Sequence, residues 1–201
     1  MGHTREVSPH LCPELSLRLI TPECPLWRAD ERDLLKLGLE EPFWGFCWAG
    51  GQALARYILD HPECVAGKSV LDFGSGCGVA GIAAKLAGAL RVLAADVDPL
   101  ATVAAGINAE LNGVEIETIT GDLLGDEVAG FGVILLGDMH YEAGLAGRVQ
   151  AWLSGLNRTI LMGSPDRGHI DTRRWKQLEK YAAPADVDGG HLQPAVVYTL
   201  P

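Results

Sequence analysis

Cysteine is sparse and unpatterned in this 201-residue chain. The five present, Cys12, Cys24, Cys47, Cys64 and Cys77, are odd in number and show no C-x-x-C spacing. That argues against a disulfide framework and for free thiols in a reducing compartment, here expected to be the cytoplasm. The six histidines do not cluster with them, so no metal site is expected. Long hydrophobic runs are missing too: nothing approaches the ~18 apolar residues of a membrane span. The opening Met-Gly-His-Thr-Arg-Glu-Val-Ser-Pro-His has no apolar signal core, and with one arginine and Glu6 it does not read as an organellar leader. Basic tracts are absent, since no run of Lys or Arg exceeds two residues and the formal charge is −10. That balance argues against binding to nucleic-acid backbone. Neither nucleic acid nor a membrane is expected as a partner, and the chain is expected to be a monomer.

Hydrophobic residues, by contrast, make up 48% and glycines number 25. Such a chain can bury a core and supply many tight turns, which excludes a disordered protein. One domain over residues 1–201 is expected, with residues 1–60 as an N-terminal arm over the edge of a core spanning 61–201. In the arm, Leu15-Ser-Leu-Arg-Leu-Ile20 alternates like a short strand, 29–37 reads as a short helix capped near Asp30, and 41–48 is an aromatic loop. Residues 50–59 have helical spacing through Ala53, Leu54, Tyr57 and Ile58. Further on, strands are predicted at 69–73, 91–96, 116–120, 132–137, 158–163 and 194–200, and helices at 79–88, 99–111, 142–154 and 172–181. Strands separated by helices specify βαβ units, hence an α/β fold with a largely parallel sheet. The last strand follows Gly189-Gly190 without a long helix, which predicts a hairpin-like return and an antiparallel strand.

Residues 69–81 are the most informative stretch: Ser-Val-Leu-Asp-Phe-Gly-Ser-Gly-Cys-Gly-Val-Ala-Gly. A short apolar run ends in Asp72; Gly74, Gly76 and Gly78 follow, with Ser75 among them and Cys77 as a small residue in the turn. A glycine-rich turn between strand and helix lets backbone N–H groups approach a ligand. One strand–helix unit later Asp96 closes another apolar run, where a carboxylate accepts hydrogen bonds from ribose hydroxyls. An adenosine-containing cofactor is therefore expected. The segment 76–81 also satisfies G-x-G-x-x-G, the dinucleotide fingerprint, so a nicotinamide-dependent oxidoreductase is a rival reading. Asp72 weighs against it, because a carboxylate there repels a pyrophosphate at the helix N-terminus. S-adenosylmethionine, cationic and free of phosphate, suits the turn.

Asp98-Pro99 reads as a helix N-cap with proline at the first helical position. Asp122 ends the third strand, either facing an adenine amino group or forming a surface turn. Gly137-Asp-Met-His-Tyr141 follows the fourth strand, and ligands bind beyond the carboxyl ends of strands in open α/β sheets. Asp138 and Tyr141 are accordingly the candidate catalytic residues, with His140 either beside them or structural. A helix cap is the competing reading for Asp138.

Taken with Phe43-Trp44, Trp48-Ala-Gly-Gly-Gln-Ala-Leu-Ala-Arg-Tyr57, Gly67-Lys-Ser-Val-Leu-Asp-Phe-Gly-Ser-Gly-Cys-Gly78 and Asp96-Val-Asp-Pro99, these motifs resemble the seven-β-strand, class I lysine methyltransferases. The likeness is greatest to the branch that modifies the electron transfer flavoprotein beta subunit. It implies a Rossmann-like, mostly parallel seven-stranded sheet with an antiparallel C-terminal strand. It also implies S-adenosylmethionine as cofactor, Trp48 as a wall of its pocket, and the pair Asp138 and Tyr141 of a D-x-x-Y motif beside the transferred methyl. The family commonly has an aromatic residue where His140 stands. For Trp44 and Trp48, buried packing is the alternative. Protein-lysine methylation, with that flavoprotein subunit as partner, is the expectation. A methyltransferase for a ribosomal protein or small amine is the first rival, and a binding module without transfer is a rival from another class.

Overall fold

The computed structural model describes residues 3–139, 143–165, 172–184 and 191–200. Strands β1 (Arg5–Val7) and β2 (Leu17–Leu19) pair as a short antiparallel ribbon. Helix α1 (Glu31–Leu37) begins at Asp30, whose side chain accepts the Asp33 N–H at 2.9 Å. A 3₁₀ turn at Phe43–Gly45 leads into α2 (Ala49–Asp60). Then come β3 (Ser69–Phe73), α3 (Val79–Leu86), β4 (Arg91–Asp96), α4 (Pro99–Leu111) and β5 (Glu117–Thr120). They are followed by β6 (Val133–Gly137), α5 (Ala143–Ser154), β7 (Thr159–Pro165), β8 (Lys176–Pro184) and β9 (Leu192–Leu200). Asp98 caps α4 as its sequence predicts, accepting the Leu100 N–H at 2.8 Å with Pro99 in the first turn.

Seven strands form one sheet in the order β5-β4-β3-β6-β7-β9-β8. The first five are parallel. Strand β9 is antiparallel to both neighbours, so β8 runs with the parallel set. The chain winds outward from β3 in both directions, and the crevice between the carboxyl ends of β3 and β6 is where such sheets hold ligands. Buried strands alternate between two apolar layers. Val70, Val133, Leu135 and Leu161 face α2 and α3, whereas Leu71, Ile134, Leu136 and Met162 face α5 through Val149 and Leu153. Burial on both faces is why these strands read as unbroken apolar runs.

One expectation is corrected. Residues 172–181 are not a helix: after a 3₁₀ turn at Thr172–Arg174 the chain enters β8. Leu178 and Tyr181 face one apolar layer three residues apart because the strand is bulged between Gln177 and Glu179, whereas Trp175, ahead of the strand, packs in the opposite layer. An extra residue turns a period of two into a step of three. Helix α2 falls within the segment read as an arm. Eight of the twelve residues of α2 are buried, and the helix packs on β7, β9 and α3 as part of the core. Ahead of α2 the arm is stitched down by asparagines of α4. Asn108 Oδ1 accepts the Arg18 N–H at 2.7 Å and Asn112 Oδ1 the Ser16 N–H at 2.9 Å.

Helix α2 lies against the sheet backbone to backbone. A Cβ on Gly163 would run into the carbonyl of Gly50, and one on Gly137 would stand 3.0 Å from the Cα of Gly51. Gly163→Ala forces helix and strand apart, and overpacking of this kind costs about 1–3 kcal/mol or more. For a chain of this size that lowers the thermal midpoint by roughly 3–10 °C, to be read from circular dichroism melts. An unchanged midpoint would show that the contact yields freely.

Candidate cofactor and active site

The turn after β3 needs its glycines. Gly74, Gly76 and Gly78 have φ of 67°, 51° and 82°, a region that side-chain-bearing residues avoid. The turn leans on β4, where Ala95 O accepts the N–H groups of Gly74 and Ser75 at 2.9 and 3.1 Å. Asp96 ends that strand and braces the turn: Oδ2 accepts the Gly76 N–H at 2.8 Å and Oδ1 the Asp98 N–H at 3.0 Å. Burial raises the Asp96 carboxyl above the ordinary aspartate range. Asn108 closes the arrangement from behind, its Nδ2 donating to Cys77 O at 2.9 Å.

Beside this turn opens a cavity of about 540 Å³. Of the predicted residues, Trp48, Gly74, Gly76, Asp96, Asp122 and Asp138 line it together. Asp122 also accepts the Leu124 N–H at 2.9 Å, so it shapes a turn and faces the cavity at once. Three predicted cofactor residues do not line it. Gly78 instead gives room to α4, since a Cβ there would stand 2.9 Å from that of Ala105. Ser75 is buried, and its hydroxyl has no partner among the described residues.

Asp72 lies beneath the turn and is 2% exposed. Its Oδ2 accepts the Gly81 N–H at 2.8 Å, one of the donors that the first turn of α3 leaves unpaired. Burial pushes its carboxyl up to about 7. Asp72 therefore holds α3 in place, and it occupies the helix end that a phosphate would use.

Asp138 follows β6 in the left-handed region, at φ 56°, a conformation that costs a non-glycine residue energy and collects at functional sites. Its Oδ2 accepts the Gly51 N–H at 3.0 Å, and its own N–H donates to Gly163 O at 3.0 Å. Met139 lies so close to Gly74 that any side chain there would collide with its sulfur. Tyr141 and His140 lie outside the described residues.

Sequence reasoning missed Glu40, Glu41, Phe43 and Met139 in the cavity wall. Glu41 and Phe43 carried a signal as part of the aromatic loop, and Met139 stood inside the motif at 137–141. Among the described residues the lining includes six carboxylates, Glu40, Glu41, Asp96, Asp98, Asp122 and Asp138, and no Lys or Arg. Apolar surfaces of Phe73, Ala95, Val97 and Ala101 complete it. Apolar walls for a base, a carboxylate for a ribose and no cation for a phosphate fit a positively charged nucleoside. They do not fit a dinucleotide.

Asp72 makes stability depend on pH. Its carboxyl sits near 7 in the fold and at about 3.9 when unfolded. The native state therefore holds the proton more tightly, and stability from this group is full below about pH 4 and lost as pH rises towards 7. Asp72→Asn keeps an acceptor for Gly81 without the charge. Its thermal midpoint relative to wild type should climb between about pH 4 and 7. Melts that keep a constant offset across that range would remove Asp72 as the cause.

Comparison with known proteins agrees with this geometry. The model of the ribosomal protein L11 methyltransferase (PrmA) family matches residues 53–135. The ribosomal protein L11 methylase of Lactobacillus delbrueckii subsp. bulgaricus has a similar fold, with a TM-score of 0.52 and 22% identity over 75% of this chain and 78% of its own. The methyltransferase SMU.776, solved with SAH, gives a TM-score of 0.60 at 11% identity over all of this chain and 57% of its own. Two curated relatives are much nearer in sequence. The electron transfer flavoprotein beta subunit lysine methyltransferase of Mus musculus is 43% identical over 183 residues, 87% of this chain and 71% of its own length. That of Homo sapiens is 44% identical over 181 residues, 86% and 68% respectively. With a cofactor turn, a switch-point acid and this identity over most of its length, the chain belongs to the electron transfer flavoprotein beta subunit lysine methyltransferase family.

Proposed function

We propose that the chain methylates lysine side chains of the electron transfer flavoprotein beta subunit, the protein named in its curated relatives. S-adenosylmethionine is the cofactor; when bound, it supplies a methyl group already activated by a cationic sulfonium. The observation that carries the reading is a cavity walled by six carboxylates, with no Lys or Arg among the described residues, beside the glycine turn and Asp96. Both the cofactor and a lysine are cationic, and this wall attracts both. Five free cysteines suit a reducing compartment, which we take to be the cytoplasm.

The chemistry asks mainly for positioning. A lysine amine has a pKa of about 10.4 and must shed a proton before it can attack. Asp138, oriented by the Gly51 N–H, draws the ammonium in. Once the proton has passed to water, the same carboxylate orients the neutral amine. Tyr141, assigned from the D-x-x-Y motif alone, lines the approach and offers its ring to the cationic centre. A ribosomal-protein substrate is the second reading, suggested by the family model. That match ends at Leu135, short of Asp138, so it speaks for the cofactor half of the site and not for the acceptor side.

Cofactor choice is tested by thermal shift. S-adenosylhomocysteine should raise the melting temperature and NADH should not, because a ligand of the native state stabilises it by mass action. Asp96→Asn should weaken S-adenosylhomocysteine roughly 10- to 100-fold through lost charge-assisted hydrogen bonds. Stabilisation by NADH alone would overturn the reading.

Transfer is tested by labelled methyl incorporation into the flavoprotein subunit, with cofactor titration of the same variants. Asp138→Ala should lower kcat on the order of 100-fold, as loss of an orienting group does, and keep most of the cofactor affinity. Tyr141→Phe should be milder, since its ring persists. Near wild-type transfer by Asp138→Ala would reduce that residue to a strut for α2.

A further inference from the structure

The segment joining α1 to α2 forms one wall of the cavity. Glu40, Glu41, Phe43 and Trp44 all line it. Phe43 is 49% exposed, and Leu37 just before them is 55% exposed. Large apolar groups at a cavity mouth, interleaved with acids, mark a surface that meets another molecule. Glu40 and Glu41 are exposed and form no salt bridge among the described residues.

The strip is held firmly from behind. The Ile20 N–H donates to Gly45 O at 2.7 Å, and the Ile20 side chain fills the place a Cβ on Gly45 would take. Trp48 Nε1 donates to Phe43 O at 2.9 Å. Aromatic rings run inward from the mouth, with centroids 6.1 Å apart for Phe43–Trp48, 5.5 Å for Phe46–Trp48 and 5.7 Å for Trp27–Phe46. They end in a small core of Ile20, Cys24, Leu26 and Leu34, separate from the two layers that flank the sheet. An exposed surface that is already ordered binds without the cost of ordering itself.

Charge identifies the occupant. One acceptor ammonium is served by Asp138. Two further carboxylates at the rim exceed that need and match cations flanking the acceptor. Phe43 and Leu37 match the aliphatic stems that such long side chains carry. We propose that residues 37–44 are a docking strip for an extended, basic, lysine-bearing segment of the protein substrate, an assignment that rests on the lysine-methylation reading above. Glu40 and Glu41 engage cations beside the acceptor lysine, while Phe43 and Leu37 cover side-chain stems.

The test is steady-state labelled transfer to the electron transfer flavoprotein beta subunit at low and high salt. It compares wild type, the double variant Glu40→Gln/Glu41→Gln, and Leu37→Ser. Calorimetric titration with S-adenosylhomocysteine runs alongside. These positions are exposed, so thermal midpoints should stay within about 2 °C of wild type. The double variant should raise KM for the subunit about tenfold, and KM should lose most of its salt dependence. Its kcat should move far less, and its cofactor affinity should stay within about twofold. Leu37→Ser should raise KM about threefold with the salt dependence intact. KM values within twofold of wild type for both variants, or a parallel loss of cofactor affinity, overturn the strip. A wild type that labels no lysine of the subunit overturns the substrate reading and this occupant with it. Labelling with an unmoved KM overturns the strip alone.

Discussion

Everything at the acceptor end of the site depends on how closely α2 approaches the sheet. Gly50 and Gly51 meet Gly163 and Gly137 without an intervening side chain. That closeness puts the Gly51 N–H within 3.0 Å of the Asp138 carboxylate. Larger residues at these glycines would lift the helix, and Asp138 would lose the donor that sets its direction. Glycines in a helix cost stability, and Ala53, Leu54 and Ile58 on the same helix offset it by full burial. The unfavourable backbone of Asp138 is likewise sustained by its surroundings, through the bond from its N–H to Gly163 O.

At the cofactor end the constraint is the handling of carboxylates. Asp72 and Asp96 lie near the carboxyl ends of adjacent parallel strands; burial raises both carboxyls, and the charge of Asp96 raises Asp72 further. Backbone donors pull the other way, Gly81 for Asp72 and Gly76 and Asp98 for Asp96. The result is a turn braced from both sides by acids. An anionic ligand would add to that repulsion, and a cationic one relieves it. The cofactor turn thus selects by charge before any specific contact is made.

The parts of this arrangement that are local in sequence could be read in advance. The turn at Gly74, Gly76 and Gly78, the acid Asp96 and the Asp98-Pro99 cap are each one element long, and turn chemistry or capping dictates them. Where distant segments meet, reading stopped. Asp72 stands in the motif as a ligand residue would, yet only the packing of α3 reveals that it serves Gly81. Glu40 and Glu41 reach the cavity because the arm folds back through Ile20 and Gly45. Strand β8 was hidden for another reason: its bulge imitates a helical period. Gly50-Gly51 was visible, but its meaning depends on Gly137 and Gly163, more than eighty positions later.

The carboxylate wall also divides the work between binding and rate. During methyl transfer the positive charge is conserved: it leaves the sulfur and arrives on the acceptor nitrogen. Acids that surround both positions stabilise the start and the finish almost equally, which strengthens binding without lowering the barrier. Asp98 and Asp122 in the cavity wall belong to this group, whereas Glu40 and Glu41 at the mouth act on the side of the incoming substrate. A carboxylate gains on the way to the transition state only if it is nearer to the nitrogen than to the sulfur. The role proposed for Asp138 asks for that position, and the residue follows β6 across the switch point from the turn after β3. Its fixed orientation then matters more than its basicity. A mobile acid would follow the charge wherever it lay, whereas one held by Gly51 and Gly163 favours the end state with charge on nitrogen.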